Sequence, residues 1–293
     1  MNRRQFLRTA VAAAVALPAR GAVKTMRLGL IVWLEKDPDG IVRRVHELGF
    51  PTCQVGLREV DLSLAAPLRA ALDRYSVEAT SIVSTGPGKE VYDFYEGPAT
   101  IGLVPRATRG ARIARIEETS EFARRCGVAA VQTHCGFIPE NPGDPLYKEA
   151  TGAIRQVAAY CKKNGQSFRC ETGQETPIAL LRAIHDVGLD NVGVNFDPAN
   201  LILYGKADPV DALETLGRYV QGVHAKDGLY PSDPRQLGRE VPIGQGKVNF
   251  PRFIERLKQI GYTGPLTIER ETSGPQQMED VRAARLYLEK LIG

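Results

Sequence analysis

Short apolar runs alternate with longer amphipathic stretches along this chain, and the alternation repeats about eight times. The apolar runs are Arg27 to Leu34, Thr52 to Leu57, Val77 to Ser84, Ala129 to His134, Ser167 to Glu171, Val192 to Asp197, Gln221 to His224 and Pro265 to Glu269. Between them lie helix-patterned segments: Asp39 to Leu48, Ala114 to Cys126, Tyr147 to Lys163, Pro177 to Val187, Pro209 to Tyr219, Phe250 to Ile260 and a last one from Gln276 to Leu291. Glycine follows several of these at once, as in Cys126-Gly127, Val187-Gly188 and Ile260-Gly261, which is a helix stop signal. Strands that alternate with helices predict βαβ units and a parallel sheet. Eight units in one stretch predict a closed (βα)8 TIM barrel over residues 23–293 as a single catalytic domain. The one long irregular segment, Gly86 to Arg106, follows the third strand, and a loop of that length is more often functional than incidental.

The N-terminus departs from this pattern. Met-Asn-Arg-Arg-Gln-Phe-Leu-Arg precedes an Ala-, Val- and Leu-rich run from Thr9 to Ala19, then Arg20. That is the layout of a secretory signal, and its apolar run is shorter than the roughly 20 residues needed to span a bilayer. Arg3-Arg4 with Phe6-Leu7 resembles the twin-arginine motif. The expectation is a removable signal over residues 1–22, passage through the twin-arginine export machinery, a periplasmic or secreted location, and no membrane anchor once the signal is gone.

Export changes the reading of charge. The chain has 38 basic and 34 acidic residues, a net charge of +4. Residues 1–22 hold Arg3, Arg4, Arg8 and Arg20 and no acid, so 34 bases face 34 acids in the remainder. A basic balance that resides in a signal gives no reason to expect nucleic acid as a partner. Five cysteines in no CxxC spacing do not make a disulfide framework. Cys53, Cys135 and Cys170 fall in strand-like runs, where buried free thiols are expected; a Cys135–Cys170 bridge stays open.

In a βα barrel the C-terminal ends of the strands converge on one mouth, where active sites lie. Successive strands end at Glu171, Asp197, His224 and Glu269, at separations of 26, 27 and 45 residues. The first two intervals fit one βα unit each, and the third fits a unit enlarged by the loop Gly228 to Gly246. Three carboxylates and an imidazole aimed into one cavity repel without a cation between them. An oxygen-rich set with one nitrogen and no thiolate suits one divalent ion, manganese first, with magnesium, cobalt or zinc as alternatives. Glu271, two residues after Glu269 and so on the same side of the strand, competes for the fourth position.

These residues in their local sequences resemble the xylose-isomerase-like barrel superfamily, and more closely its sugar phosphate isomerase/epimerase branch. The motifs are Glu171-Thr-Gly-Gln-Glu, Asn-Phe-Asp197-Pro-Ala-Asn, Val-His224-Ala-Lys-Asp and Leu-Thr-Ile-Glu269-Arg-Glu. The resemblance implies a metal-dependent isomerase or epimerase in which Glu171 and Glu269 also shuttle a proton through an enediolate next to a sugar carbonyl. It leaves open a keto-sugar dehydratase or lyase at the same site, 3-keto-glycoside cleavage included. Three residues after the metal aspartate similar epimerases commonly carry a histidine, and here the residue is Asn200.

Other residues have weaker signals. His134 ends the fourth strand and Lys226 follows His224 by two, so both are candidate substrate contacts, as are Asn200, Glu271 and Trp33, the only tryptophan. Glu175 reads as a helix cap or a support for the ligands. Arg106, Arg109, Arg112 and Arg115 read as a solvated helix face. An apurinic endonuclease shares the barrel, but its multinuclear zinc site needs more histidines than the four present. A non-catalytic carbohydrate-binding barrel is the remaining alternative. Expected partners are a non-phosphorylated carbohydrate and the export machinery, with a homo-oligomer left open.

Overall fold

The computed structural model describes residues 25–293; the predicted signal lies outside the described residues. Eight parallel strands close into a barrel: β1 (Arg27–Leu34), β2 (Thr52–Leu57), β3 (Glu78–Ser84), β4 (Ala130–His134), β5 (Ser167–Glu171), β6 (Val192–Phe196), β7 (Val220–Ala225) and, after a hairpin, β10 (Pro265–Ile268). The hairpin strands β8 (Asp227–Leu229) and β9 (Arg239–Val241) pair antiparallel on top of the barrel. Around it lie α1 (Pro38–Glu47), α2 (Ala65–Tyr75), α3 (Gly97–Thr100), α4 (Arg106–Cys126) and α5 (Pro145–Lys163). The circuit continues with α6 (Pro177–Val187), α7 (Pro198–Leu203), α8 (Pro209–Leu216), α9 (Phe250–Gln259) and α10 (Pro275–Ile292). β10 pairs with both β1 and β7, which closes the ring.

The chain marks its own helix starts. Asp37, Asp144, Thr176, Asp197 and Asp208 each precede proline, and each side chain accepts a hydrogen bond from a backbone N–H of the first turn. Proline at the first helical position loses no hydrogen bond, since that N–H has no partner in the helix. Gly127 and Gly188 end α4 and α6 at φ of 74° and 63°, a left-handed turn that glycine adopts without a Cβ clash. Outward-facing strand residues build the core against the helices, as where Phe196 stacks on Phe253 at 5.7 Å.

Three expectations need correction. α4 begins at Arg106, not Ala114, because arginines and Gly110 hide its first two turns from the apolar periodicity. Of the four arginines in its first half only Arg106 is solvated; Arg109, Arg112 and Arg115 are largely covered. Arg112 is buried and donates to the carbonyls of Gly102, Thr100 and Lys89, and Arg109 donates to those of Leu103 and Val104. They tie down the long segment after β3, which itself contains α3. The helix predicted to reach Tyr219 stops at Leu216 and tightens into a 3-10 turn, Gly217–Tyr219. α2 adds a segment that the apolar pattern did not single out. No helix among the described residues is long and apolar enough to cross a membrane.

Candidate active site

β5, β6, β7 and β10 are consecutive around the barrel, so their C-terminal ends present side chains to one another. Glu171, Asp197, His224 and Glu269 each offer one ligand atom there, all within 4.8 Å of one another. Glu171, Asp197 and His224 are buried, and Glu269 nearly so. Asp197 divides its carboxylate between two tasks. Oδ1 caps α7 by accepting from Asn200 N–H at 2.8 Å, while Oδ2 is buried and makes no hydrogen bond.

The imidazole of His224 decides what the cluster is for. Nε2 donates to Gln54 Oε1 at 2.7 Å. Gln54 must present its oxygen, because its Nε2 donates to Asn195 Oδ1 at 3.1 Å and Gln132 Nε2 also donates to Gln54 Oε1 at 3.1 Å. Ser81 Oγ, donating to Gln132 Oε1 at 2.8 Å, fixes that amide in turn. The proton of the neutral ring is thereby held on Nε2, and Nδ1 points its lone pair at the carboxylates. Nδ1 makes no hydrogen bond and lies 3.2 Å from Glu171 Oε1, 3.5 Å from Asp197 Oδ2 and 3.1 Å from Glu269 Oε2. A buried lone pair facing three anionic oxygens is stable only with a cation or a proton among them.

The charge balance agrees. Burial pushes the His224 imidazolium down, but Glu269 and Glu171 outweigh it and hold its pKa well above the usual range. Burial raises Asp197, with Lys226 only partly offsetting it. Glu171 and Glu269 are pushed up by burial too. His134 and His224 bring the first below the ordinary carboxylate value, and Lys226 and His224 bring the second well below it. Four donors of this kind, with two orphaned buried atoms among them, fit a divalent metal ion.

The other predicted residues separate. Glu269, not Glu271, joins the cluster; the Glu271 side chain is 60% exposed and binds Lys226 Nζ at 2.5 Å. Lys226 is buried and also approaches Glu269 Oε2 at 3.3 Å and Asn200 Oδ1 at 3.2 Å. Asn200 spends its amide on Thr172 O at 3.3 Å, so its side chain supports Lys226 and the loop after β5 rather than standing free for substrate. His134 Nε2 lies 3.5 Å from Glu171 Oε1, and Tyr92 from the long loop sits edge-on to its ring at 5.6 Å. Trp33 lies over Gly56, where a Cβ would come within 2.5 Å of the indole, and the Arg58 guanidinium stands 4.8 Å from its ring centre. All five cysteines are buried and free.

The sequence reading missed Gln54, Gln132, Asn195 and Ser81. The available signal was polar residues on the inward side of runs that are otherwise apolar, as in Thr52-Cys53-Gln54-Val55-Gly56. It also missed Asp227, whose buried carboxylate accepts from the N–H groups of Gly228, Gly244, Gly246 and Val248 and shapes the loop beside the mouth.

Glu175 is not a cap, since Thr176 fills that place. It is buried, its Oε2 has no partner, and burial pushes its pKa up to about 8. An unfolded glutamate titrates near ~4.3. Between those values the unfolded chain has lost the proton that the folded chain keeps, so this group lowers stability as pH rises toward 8. The Glu175→Gln variant is expected to melt above the wild type at pH 8.5, with the difference closing by pH 5. Melting curves that stay parallel across that range contradict it.

Known proteins share this architecture. The sequence pattern of the xylose isomerase-like TIM barrel family matches residues 42–291. The crystal structure of a xylose isomerase domain protein from Planctomyces limnophilus is 35% identical, covers 91% of this chain and 97% of its own, and superposes with a TM-score of 0.86. L-ribulose-5-phosphate 3-epimerase of Shigella sonnei is 26% identical over 86% of this chain and 87% of its own. A Mycobacterium smegmatis barrel solved in complex with magnesium is 21% identical, covers 87% of each chain and superposes with a TM-score of 0.65, a likeness of fold.

Proposed function

The chain belongs to the xylose isomerase-like TIM barrel family, and on that premise we propose that it is a divalent-metal-dependent sugar epimerase or isomerase acting on a non-phosphorylated sugar or keto-sugar. The observation that carries the reading is the bare, buried Nδ1 of His224 among three carboxylates. The epimerase among its relatives and the magnesium-bound barrel support it. The substrate's lack of phosphate rests on the twin-arginine start of the chain, since export and sugar phosphates rarely coincide.

Glu171, Asp197, His224 and Glu269 would hold the ion. When bound, a divalent cation supplies Lewis-acid polarisation of the substrate carbonyl, which acidifies the neighbouring C–H. The chain's own residues do the rest. Glu171 and Glu269 come from strands separated by β6 and β7, so they reach a sugar from different sides. One carboxylate takes the proton from the carbon beside the carbonyl, leaving the electron pair in an enediolate. The other glutamate, once it has taken a proton from solvent, inverts that carbon by delivering the proton to its opposite face, and delivery to the adjacent carbon isomerises the sugar. Lys226, held by Glu269 and Glu271, keeps Glu269 ionised and fit to act as base. His134, beside Glu171 at the open side of the cluster, is placed to donate to a substrate hydroxyl.

A second reading is β-elimination from the same enediolate. It is favoured at Asn200, where similar epimerases commonly carry histidine and where the amide is already engaged by Thr172 and Lys226. Elimination takes the hydrogen from the carbon next to the carbonyl and leaves an unsaturated product, whereas epimerisation returns solvent hydrogen to that carbon. Incubation of the metal-loaded protein in D₂O with free ketoses, keto-sugars and ketose phosphates is expected to give deuterium at that carbon with a non-phosphorylated member. Saturated product without deuterium at any carbon contradicts proton abstraction, unsaturated product marks elimination, and labelling of ketose phosphates alone contradicts the substrate class.

A further inference from the structure

The cavity above the metal ligands does not end at the barrel mouth. From Trp33, Glu171 and Glu269 it continues outward between α1 and α10 as far as Glu47 and Val281, about 1330 Å³ in all. Small-molecule sites usually enclose about 300–1,000 Å³ and bury most of their ligand. One sugar ring at the ligands leaves the outer part of this cavity unfilled.

The extension has a structural cause. α1 and α10 flank β1, and at the end far from the mouth Arg285 of α10 donates to the carbonyl of Leu48, just after α1, with its guanidinium 5.7 Å from the centre of the Phe50 ring. Toward the mouth the cavity separates them, with Ile41 on one wall and Met278 on the other. β1 registers the gap. Leu28, Leu30 and Leu34 on its outward side are buried, whereas Val32 on the same side is only half-buried. The groove therefore has an apolar floor, and it is continuous with the reacting site. Its lining also carries the hydroxyls and amide of Thr272, Ser273 and Gln277 and, on the α1 side, the charged side chains of Arg44 and Glu47. An apolar floor with polar side chains beside it fits a ring that has one apolar face and polar edges.

We propose that the substrate is a glycoside: the ring bearing the carbonyl lies at the metal ligands, and a ring-sized aglycone, aryl or a second sugar, lies in the groove between α1 and α10. The inference rests on the sugar-converting reading for the inner ring alone. It is tested by calorimetric titration of the manganese-loaded full chain with matched methyl and phenyl glycosides of glucose, galactose and xylose in both anomers. In at least one pair the phenyl glycoside is expected to bind at least tenfold more tightly than the methyl glycoside. Ile41→Trp and Met278→Trp, which fill the groove without touching the ligands, are expected to remove that preference and leave the methyl glycoside unchanged. Equal affinity within every pair, no binding by any of them, or a preference that survives both tryptophan variants overturns the proposal. A phenyl preference without deuterium exchange into any keto-sugar upholds the groove and defeats the epimerase reading. Exchange into free keto-sugars with no aglycone preference does the reverse.

Discussion

Glu171→Gln and Glu269→Gln are each expected to lower turnover by about two orders of magnitude or more while the protein stays folded, the usual scale for loss of a general base. Glutamine keeps an oxygen where each carboxylate stood but cannot accept the proton. The two variants are not equivalent. Both carboxylates are held below the ordinary range despite burial, Glu269 further than Glu171 because Lys226 adds to His224, so Glu269 is the more firmly ionised of the two. Its replacement also leaves Lys226 with fewer acceptors, Glu271 and Asn200 among them. Glu171 faces His134 and is the partner better placed to return a proton. Turnover and deuterium uptake measured together check this. A loss below fivefold in both variants, with circular dichroism unchanged, contradicts the assignment.

The second large effect lies away from the ligands. Gln54→Leu removes the acceptor that holds the His224 proton on Nε2. The neutral ring is then free to keep its single proton on Nδ1, toward the three carboxylates, in place of the lone pair that a metal needs. Groups that orient a metal-binding histidine typically account for about 10- to 100-fold in affinity. Competition with a fluorescent chelator is expected to show a loss in that range for Mn²⁺, with a lower melting temperature because Asn195 and Gln132 lose buried partners. Wild-type affinity in Gln54→Leu contradicts the role given to the barrel's polar layer.

The contrast between these two predictions marks how far the sequence could be read. The glutamates were legible because each sits at a strand end in an equivalent place of its own βα unit, a regularity of spacing that survives without coordinates. Asp197 was legible for the same reason, although the short helix it caps, Pro198–Leu203, was not among the predicted segments. Gln54 was not, because its meaning depends on Asn195 and His224, 141 and 170 residues away, meeting it inside a closed barrel. Arg112 failed differently. Spaced every three residues with its neighbours, it looked solvated, yet the long loop folds back over it and supplies carbonyls in place of water. Periodicity reports what one element does, and it is silent where an irregular segment covers that element.

Metal stoichiometry of the wild type and of Asp197→Ala, measured by plasma mass spectrometry after loading and gel filtration, tests the central claim most directly. Asp197 Oδ2 is a fully buried oxygen with no hydrogen bond, and the alanine variant removes it together with the cap of α7. Asp197→Asn, which keeps an oxygen for the cap and loses the charge, separates the two effects. Close to one equivalent of divalent metal in the wild type, and less than about a tenth of that in both variants, is the predicted result. The same stoichiometric metal in Asp197→Ala as in the wild type would contradict the assignment of this cluster as the metal centre.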